Sequence, residues 1–194
     1  MDKTSKQFLY LINTALELVV LISALVMFHL GKVPFKLVLN QVSPLWIQIA
    51  AGAATGLVIG ILCGWLVTRI SFFESVLELI RDMTVKYRLN YLDIVIISLT
   101  AAVCEEFLFR GALQRLWGVW PVSVLFILLH GYFNPRNLKM TAYGVIMLAL
   151  SALIGYSYKY LGMYAAIIFH FVFDVAAMSM VKIKAEDKIR VQGL

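Results

Sequence analysis

The sequence predicts an all-α integral membrane protein of about six transmembrane helices, with cytoplasmic termini and an active site inside the helix bundle. Three observations lead there. Hydrophobic residues make up 62% of the 194 and charged residues only 14%, with a mean hydropathy of +0.88, whereas soluble domains sit near half apolar and a quarter charged. The apolar residues gather in runs long enough to span a bilayer. Ionisable side chains recur inside those runs, where a carboxylate or guanidinium costs roughly 2.5–3.5 kcal/mol on the insertion scale and therefore needs a reason. The excess of 17 Lys and Arg over 11 Asp and Glu gives a net charge of +6. In a membrane protein such an excess belongs to cytoplasmic loops and is no argument for nucleic acid. Cys63 and Cys104 fall inside apolar runs, which speaks against a disulfide framework.

The first span runs roughly from Phe8 to Leu30. It is too long for a signal-peptide core and carries Glu17, so it reads as a retained helix. Glu17 is an intramembrane acid, but it sits two to three turns from the polar end, within reach of water and of Lys3 or Lys6, and a structural role is the simpler reading. His29 reads as interfacial. A polar loop, Gly31 to Pro44, leads to a second span, about Leu45 to Thr68, in which Gly52, Gly56, Gly60 and Gly64 recur every four residues. Such a ridge lets another helix approach closely, in the same chain or in a second copy. Between Arg69 and Asn90, Phe72, Phe73, Val76, Leu79 and Ile80 alternate with Glu74, Glu78, Arg81 and Asp82 at helical spacing, as in an amphipathic helix on a membrane surface or a solvated linker helix.

The third span begins near Tyr91 and continues as helix to about Trp117. The fourth, about Val119 to Phe133, carries His130 and is broken by Asn134, Pro135 and Arg136. The fifth runs about Met140 to Tyr158, where Gly144, Ser151, Ala152 and Gly155 read as helix contacts. The sixth, about Leu161 to Val181, carries His170 and Asp174, and a polar tail of residues 182–194 follows. Six spans put 12 of the 17 Lys and Arg on the side of the termini, which predicts that side to be cytoplasmic.

Late in the third span stands Cys104-Glu105-Glu106-Phe107-Leu108-Phe109-Arg110. At about 100° per residue, Glu106 and Arg110 share a helical face and can pair, whereas Glu105 points about 140° away from Arg110 and lacks that partner. One carboxylate is neutralised and one is spare. With a rise of 1.5 Å per residue, Glu105 lies about 18 Å below the outer end of its helix, His130 about 16 Å and His170 about 14 Å. Three helices thus bring a Glu and two His to a similar level. Asp174 follows His170 by one turn and can orient the imidazole. Phe126 precedes His130 by one turn and would pack beside it. A carboxylate in a dry cavity can act as general base toward water, a His can assist that water or protonate a leaving amine, and a His with its carboxylate can donate to an oxyanion. That equipment suits metal-free amide hydrolysis. Glu105, His130 and His170 could instead ligate zinc, a known catalytic set, although the His-Glu-x-x-His spelling is absent.

The ordered set Glu105-Glu106-x-x-x-Arg110, Phe126-x-x-x-His130 and His170-x-x-x-Asp174 resembles the three-motif signature of the CPBP intramembrane protease family, which includes CAAX prenyl endopeptidases and bacterial Abi proteins. The resemblance implies a catalytic core over residues 91–181, following a two-span region with an amphipathic connecting segment over 1–90. It also implies an intramembrane endopeptidase, with Glu105 as base, Glu106 as partner of Arg110, His130 as an aid to the water, and His170 with position 174 at the oxyanion. Members carry Asn or Asp at that last position, and an ionised Asp is the poorer donor. The implied substrate is a membrane or lipid-associated peptide or protein, and no cofactor is required. Some members act in bacteriocin immunity or as membrane scaffolds, so a non-enzymatic role is the alternative. A proton-coupled transporter fits less well, since no Gly- or Pro-broken helix pair appears.

Overall fold

The computed structural model describes residues 3–39 and 42–192, and the described chain is helical throughout, with turns and short loops between. α1 spans Lys3–Leu30, α2 Phe35–Leu39, α3 Leu45–Arg69, α4 Glu74–Lys86, α5 Tyr91–Glu106, α6 Gln114–Trp117, α7 Val119–Leu129, α8 Leu138–Tyr160 and α9 Met163–Gln192. A 3-10 turn, Ser71–Phe73, precedes α4, and a π-helical stretch, Phe107–Leu113, joins α5 to α6.

Among the described residues, four helices are long and apolar enough to cross a membrane by length and composition: Lys6–Leu30, Leu45–Arg69, Leu138–Tyr160 and Met163–Lys184. The expected third and fourth spans are present as helix but are less regular. The third changes to π geometry directly after Glu106. The fourth stops after 11 residues, where His130 caps α7 and Gly131 turns with φ +70°. The stretch expected as a polar tail continues α9 as helix to Gln192, with Lys182 and Glu186 pairing one turn apart; residues 193 and 194 lie outside the described set. The connecting segment does form a helix, yet Phe73 and Val76 bury into the bundle while Phe72 and Leu79 stay exposed. The Ile80 side chain lies outside the described residues, as does that of Lys3.

Contacts fix the helix directions. Lys6 meets Asp93 and Asn13 meets Thr100, so α1 and α5 run parallel. Lys182 lies over the Tyr91 ring while His170 meets Glu106, so α9 runs against α5. Arg110 reaches Ser151 and Gln114 reaches Gly155, so α8 runs with the α5–α6 segment. Val119 abuts Gly155 and Tyr132 abuts Gly144, so α7 opposes α8. α3 lies parallel to α9. The direction therefore alternates along α1, α3, α5, α7, α8 and α9.

The start of α5 is fixed by a capping box. Asn90 Oδ1 accepts the Asp93 backbone N–H at 2.9 Å and Asp93 accepts the Asn90 N–H at 2.6 Å, which satisfies two otherwise orphaned donors. Asp93 also accepts the Tyr10 hydroxyl at 2.6 Å and pairs with Lys6 at 2.5 Å, so the same carboxylate ties α1 to α5.

The glycine ridge of α3 is occupied by α9 of the same chain. A Cβ at Gly52, Gly56 or Gly60 would stand 2.7, 2.5 and 2.7 Å from the backbone oxygens of Ala165, Phe169 and Phe173, and one at Gly64 would strike Met180. Only glycine permits this approach.

Candidate active site

The site is assembled where α5, the turn after α7, and α9 converge. Glu106 and Arg110 are fully buried. Arg110 Nε donates to Glu106 Oε2 at 2.9 Å, and Arg110 Nη2 donates to Ser151 Oγ on α8 at 3.0 Å. The expected pair is therefore present, and it is embedded in a larger network. The other Glu106 oxygen, Oε1, lies 2.9 Å from His170 Nδ1. Glu106 is ionic toward Arg110, so the imidazole donates from Nδ1 and turns Nε2 toward the centre of the site.

This corrects one sequence-based expectation. The carboxylate that orients His170 is Glu106, from another helix, and Asp174 instead faces Nε2 at 3.5 Å. Helical spacing places Asp174 on the right face but cannot tell which ring nitrogen it meets.

Glu105 points away from Arg110, as its angle predicts. Its Oε1 lies 3.7 Å from His130 Nε2 and its Oε2 lies 3.9 Å from His170 Nε2. Oε2 is buried and has no hydrogen-bond partner among the described residues. His130 is fixed from behind: its Nδ1 donates to the Phe126 carbonyl at 2.8 Å. Its ring is stacked between Phe126, 4.0 Å away between centroids, and Tyr132, at 5.7 Å. Both imidazoles thus have one nitrogen anchored and the other aimed at Glu105. Glu105, His130, His170 and Asp174 all lie in one cluster, with Phe126 as its aromatic wall.

The π-helical stretch explains how the chain holds this arrangement. Its wider turn buries five consecutive residues, Phe109 to Leu113, which no regular α-helix facing a single neighbour would do. Gly111 lets Phe28, Val38 and Met163 close over it, since an added Cβ would stand 2.8 Å from Val38. Such insertions are rare and concentrate at functional sites.

The sequence reading missed three participants. Ser151 appeared as a helix contact and is an Arg110 acceptor. Tyr132 was not singled out. Glu17 was read as structural near Lys3 or Lys6, yet Lys6 is taken up by Asp93, and the Glu17 carboxylate interacts electrostatically with Glu105, His130, His170 and Asp174. The helical register of Glu17 was visible, but which helix α1 would pack against was not. Among the described residues, no group of three His, Cys, Asp or Glu side chains that could hold a metal ion is found.

Comparison with known proteins agrees with the motif resemblance. Residues 87–176 match the family model described as type II CAAX prenyl endopeptidase Rce1-like, consistent with the CPBP family. The matched stretch contains Glu105, Glu106, Arg110, Phe126, His130, His170 and Asp174. The uncharacterized protein YpbD of Bacillus subtilis (strain 168) is 33% identical over 82 residues. That alignment covers 42% of this chain and 41% of YpbD, less than half of either. No solved structure matches.

Proposed function

We propose, with residues 87–176 taken as a type II CAAX prenyl endopeptidase-like segment, that the protein is an intramembrane endopeptidase using a glutamate-activated water. The observation that carries this reading is Glu105: a largely buried carboxylate with no Lys or Arg partner among the described residues, facing two imidazole nitrogens at 3.7 and 3.9 Å. In this mechanism Glu105 takes a proton from a water held between it and His130. The resulting hydroxide adds to the scissile carbonyl carbon, and His170, protonated on both ring nitrogens between Glu106 and Asp174, donates its Nε2–H to the oxyanion. Glu105 then returns its proton to the leaving amine as the C–N bond breaks. Glu106 and Arg110 touch no reacting atom; they position His170. The substrate is a membrane or lipid-associated peptide or protein, no metal or other cofactor takes part, and the location is the cell membrane.

We place both termini in the cytoplasm, with six passes. The alternating helix directions and the Lys and Arg distribution support this. Reporter fusions at residue 194 and within residues 31–44 are expected to report opposite sides, the first inside; an outside signal from the tail would overturn it.

The role of Asp174 provides the test of the mechanism. Because Glu106 already orients His170, Asp174 contributes charge and a hydrogen-bonding atom near Nε2. Asp174→Asn keeps the shape and adds a donor, so its turnover of a cleavable reporter in detergent is expected to stay within about ten-fold of wild type. Asp174→Ala is expected to lose about 10²-fold or more, in the range of an oxyanion-hole donor. Chelator is expected to leave the wild type active. Chelator-sensitive cleavage with both variants equally inactive would sink the metal-free mechanism, and a wild type that cleaves no reporter would sink the enzymatic one.

A further inference from the structure

Intramembrane hydrolysis needs a water in a place that excludes water. We infer that α1, which lies outside the family-matched segment, supplies the route, and that Glu17 is its inner station. This inference rests on the proteolytic reading above.

Lys6, Tyr10, Asn13 and Glu17 of α1 lie one per turn on a single face. Each meets a polar group of α5. Lys6 and Tyr10 bind Asp93. Asn13 Nδ2 donates to Thr100 Oγ1 at 3.3 Å. The Glu17 carboxylate lies beside the Cys104 thiol, and the residue after Cys104 is Glu105. The seam thus starts at the bundle end that holds Lys6, Asp93 and Lys182 and stops beside the proposed base. Eleven residues at 1.5 Å each make it about 16 Å long.

The innermost group is incomplete. Glu17 Oε2 is buried and accepts no hydrogen bond among the described residues, and the same holds for Glu105 Oε2. A buried acceptor without a protein partner is where an ordered water sits when the surroundings are polar. Asn13 and Thr100 pair in the middle of the two helices, a placement of polar groups that hydrocarbon penalises. A polar seam used only to glue α1 to α5 would be completed by its own partners. This one ends in two unpaired carboxylate oxygens next to the reaction centre. Glu17 is thus a positioning residue: it holds a water at the inner end of the seam, from which the water on Glu105 is replenished after each turnover.

Cys104 makes the route measurable without proteolysis. In full-length protein carrying Cys63→Ala, reconstituted in nanodiscs, Cys104 is the only thiol. A permanently charged, water-soluble methanethiosulfonate is expected to label it. Asn13→Leu, and independently Thr100→Val from the opposite wall, are expected to slow labelling by about ten-fold or more, and Asn13→Gln to restore it. With a peptide reporter, Glu17→Leu is expected to lower kcat by about ten-fold or more at unchanged KM, with Glu17→Gln, which keeps an acceptor oxygen, recovering most of it. Labelling indifferent to both wall variants would overturn the route. Slowed labelling with kcat indifferent to Glu17→Leu would overturn its role in the reaction. Slowed labelling in a protein whose wild type cleaves nothing would leave the seam standing and remove the proteolytic reading instead.

Discussion

Glu105→Gln is expected to abolish reporter cleavage, lowering kcat by about 10³-fold or more, while the protein accumulates and melts as the wild type does. The size follows from the role: a general base contributes typically about 10²–10⁴-fold, and here no neighbouring group replaces it. His130 Nδ1 is committed to the Phe126 carbonyl and His170 Nδ1 to Glu106, so neither imidazole can turn to take over. The indifference of the fold follows from the partners. Among the described residues Glu105 has no Lys or Arg against it, and one of its oxygens is buried without a hydrogen bond. Exchanging that carboxylate for a neutral amide of the same shape removes a desolvated charge and strands none. Turnover in detergent and a thermal melt of the same preparation decide the matter. Cleavage within ten-fold of wild type would remove Glu105 from the chemistry. An unchanged cellular phenotype in a cleavage-dead Glu105→Gln strain would point to immunity or scaffolding by binding. Fragments that disappear from the membrane proteome in that strain would name the substrate.

Arg110→Ala is expected to do the opposite, costing about 3–5 kcal/mol of stability and most of the protein in the membrane. Its removal leaves Glu106 as a fully buried carboxylate with only His170 against it, and takes the donor from Ser151. The damage then spreads: His170 loses the anionic acceptor of its Nδ1–H when Glu106 protonates to escape the uncompensated charge. Glu105→Ala, by contrast, is expected to accumulate normally. Equal abundance and equal melting of Arg110→Ala and Glu105→Ala would rule this account out.

How far the sequence could be read depended on whether one helix sufficed. The divergence of Glu105 and Glu106, the pairing of Glu106 with Arg110, and the similar depth of Glu105, His130 and His170 all follow from 100° and 1.5 Å per residue, and the structure assembles these groups accordingly. What needed a second helix stayed hidden. The partner of the α3 glycines, the Nδ1 acceptor of His170 and the neighbours of Glu17 are properties of packing, which periodicity does not encode. The change to π geometry after Glu106 was also illegible, because an inserted residue in a helix changes hydrogen-bond register without any change of composition. The polar tail continues α9 as helix to Gln192, with Lys182 and Glu186 pairing one turn apart on it.

The close approach of α3 to α9 has an evolutionary side. His170 and Asp174 ride on the stretch of α9 that presses its carbonyls onto Gly52, Gly56 and Gly60, yet those glycines lie outside the segment that matches the family. Similarity here follows the chemistry and stops short of the foundation. A lineage could exchange α3 only if the replacement offered the same smooth flank, since any methyl group on it would displace the helix bearing the histidine. The portable unit of inheritance in this chain is therefore larger than the recognisable one.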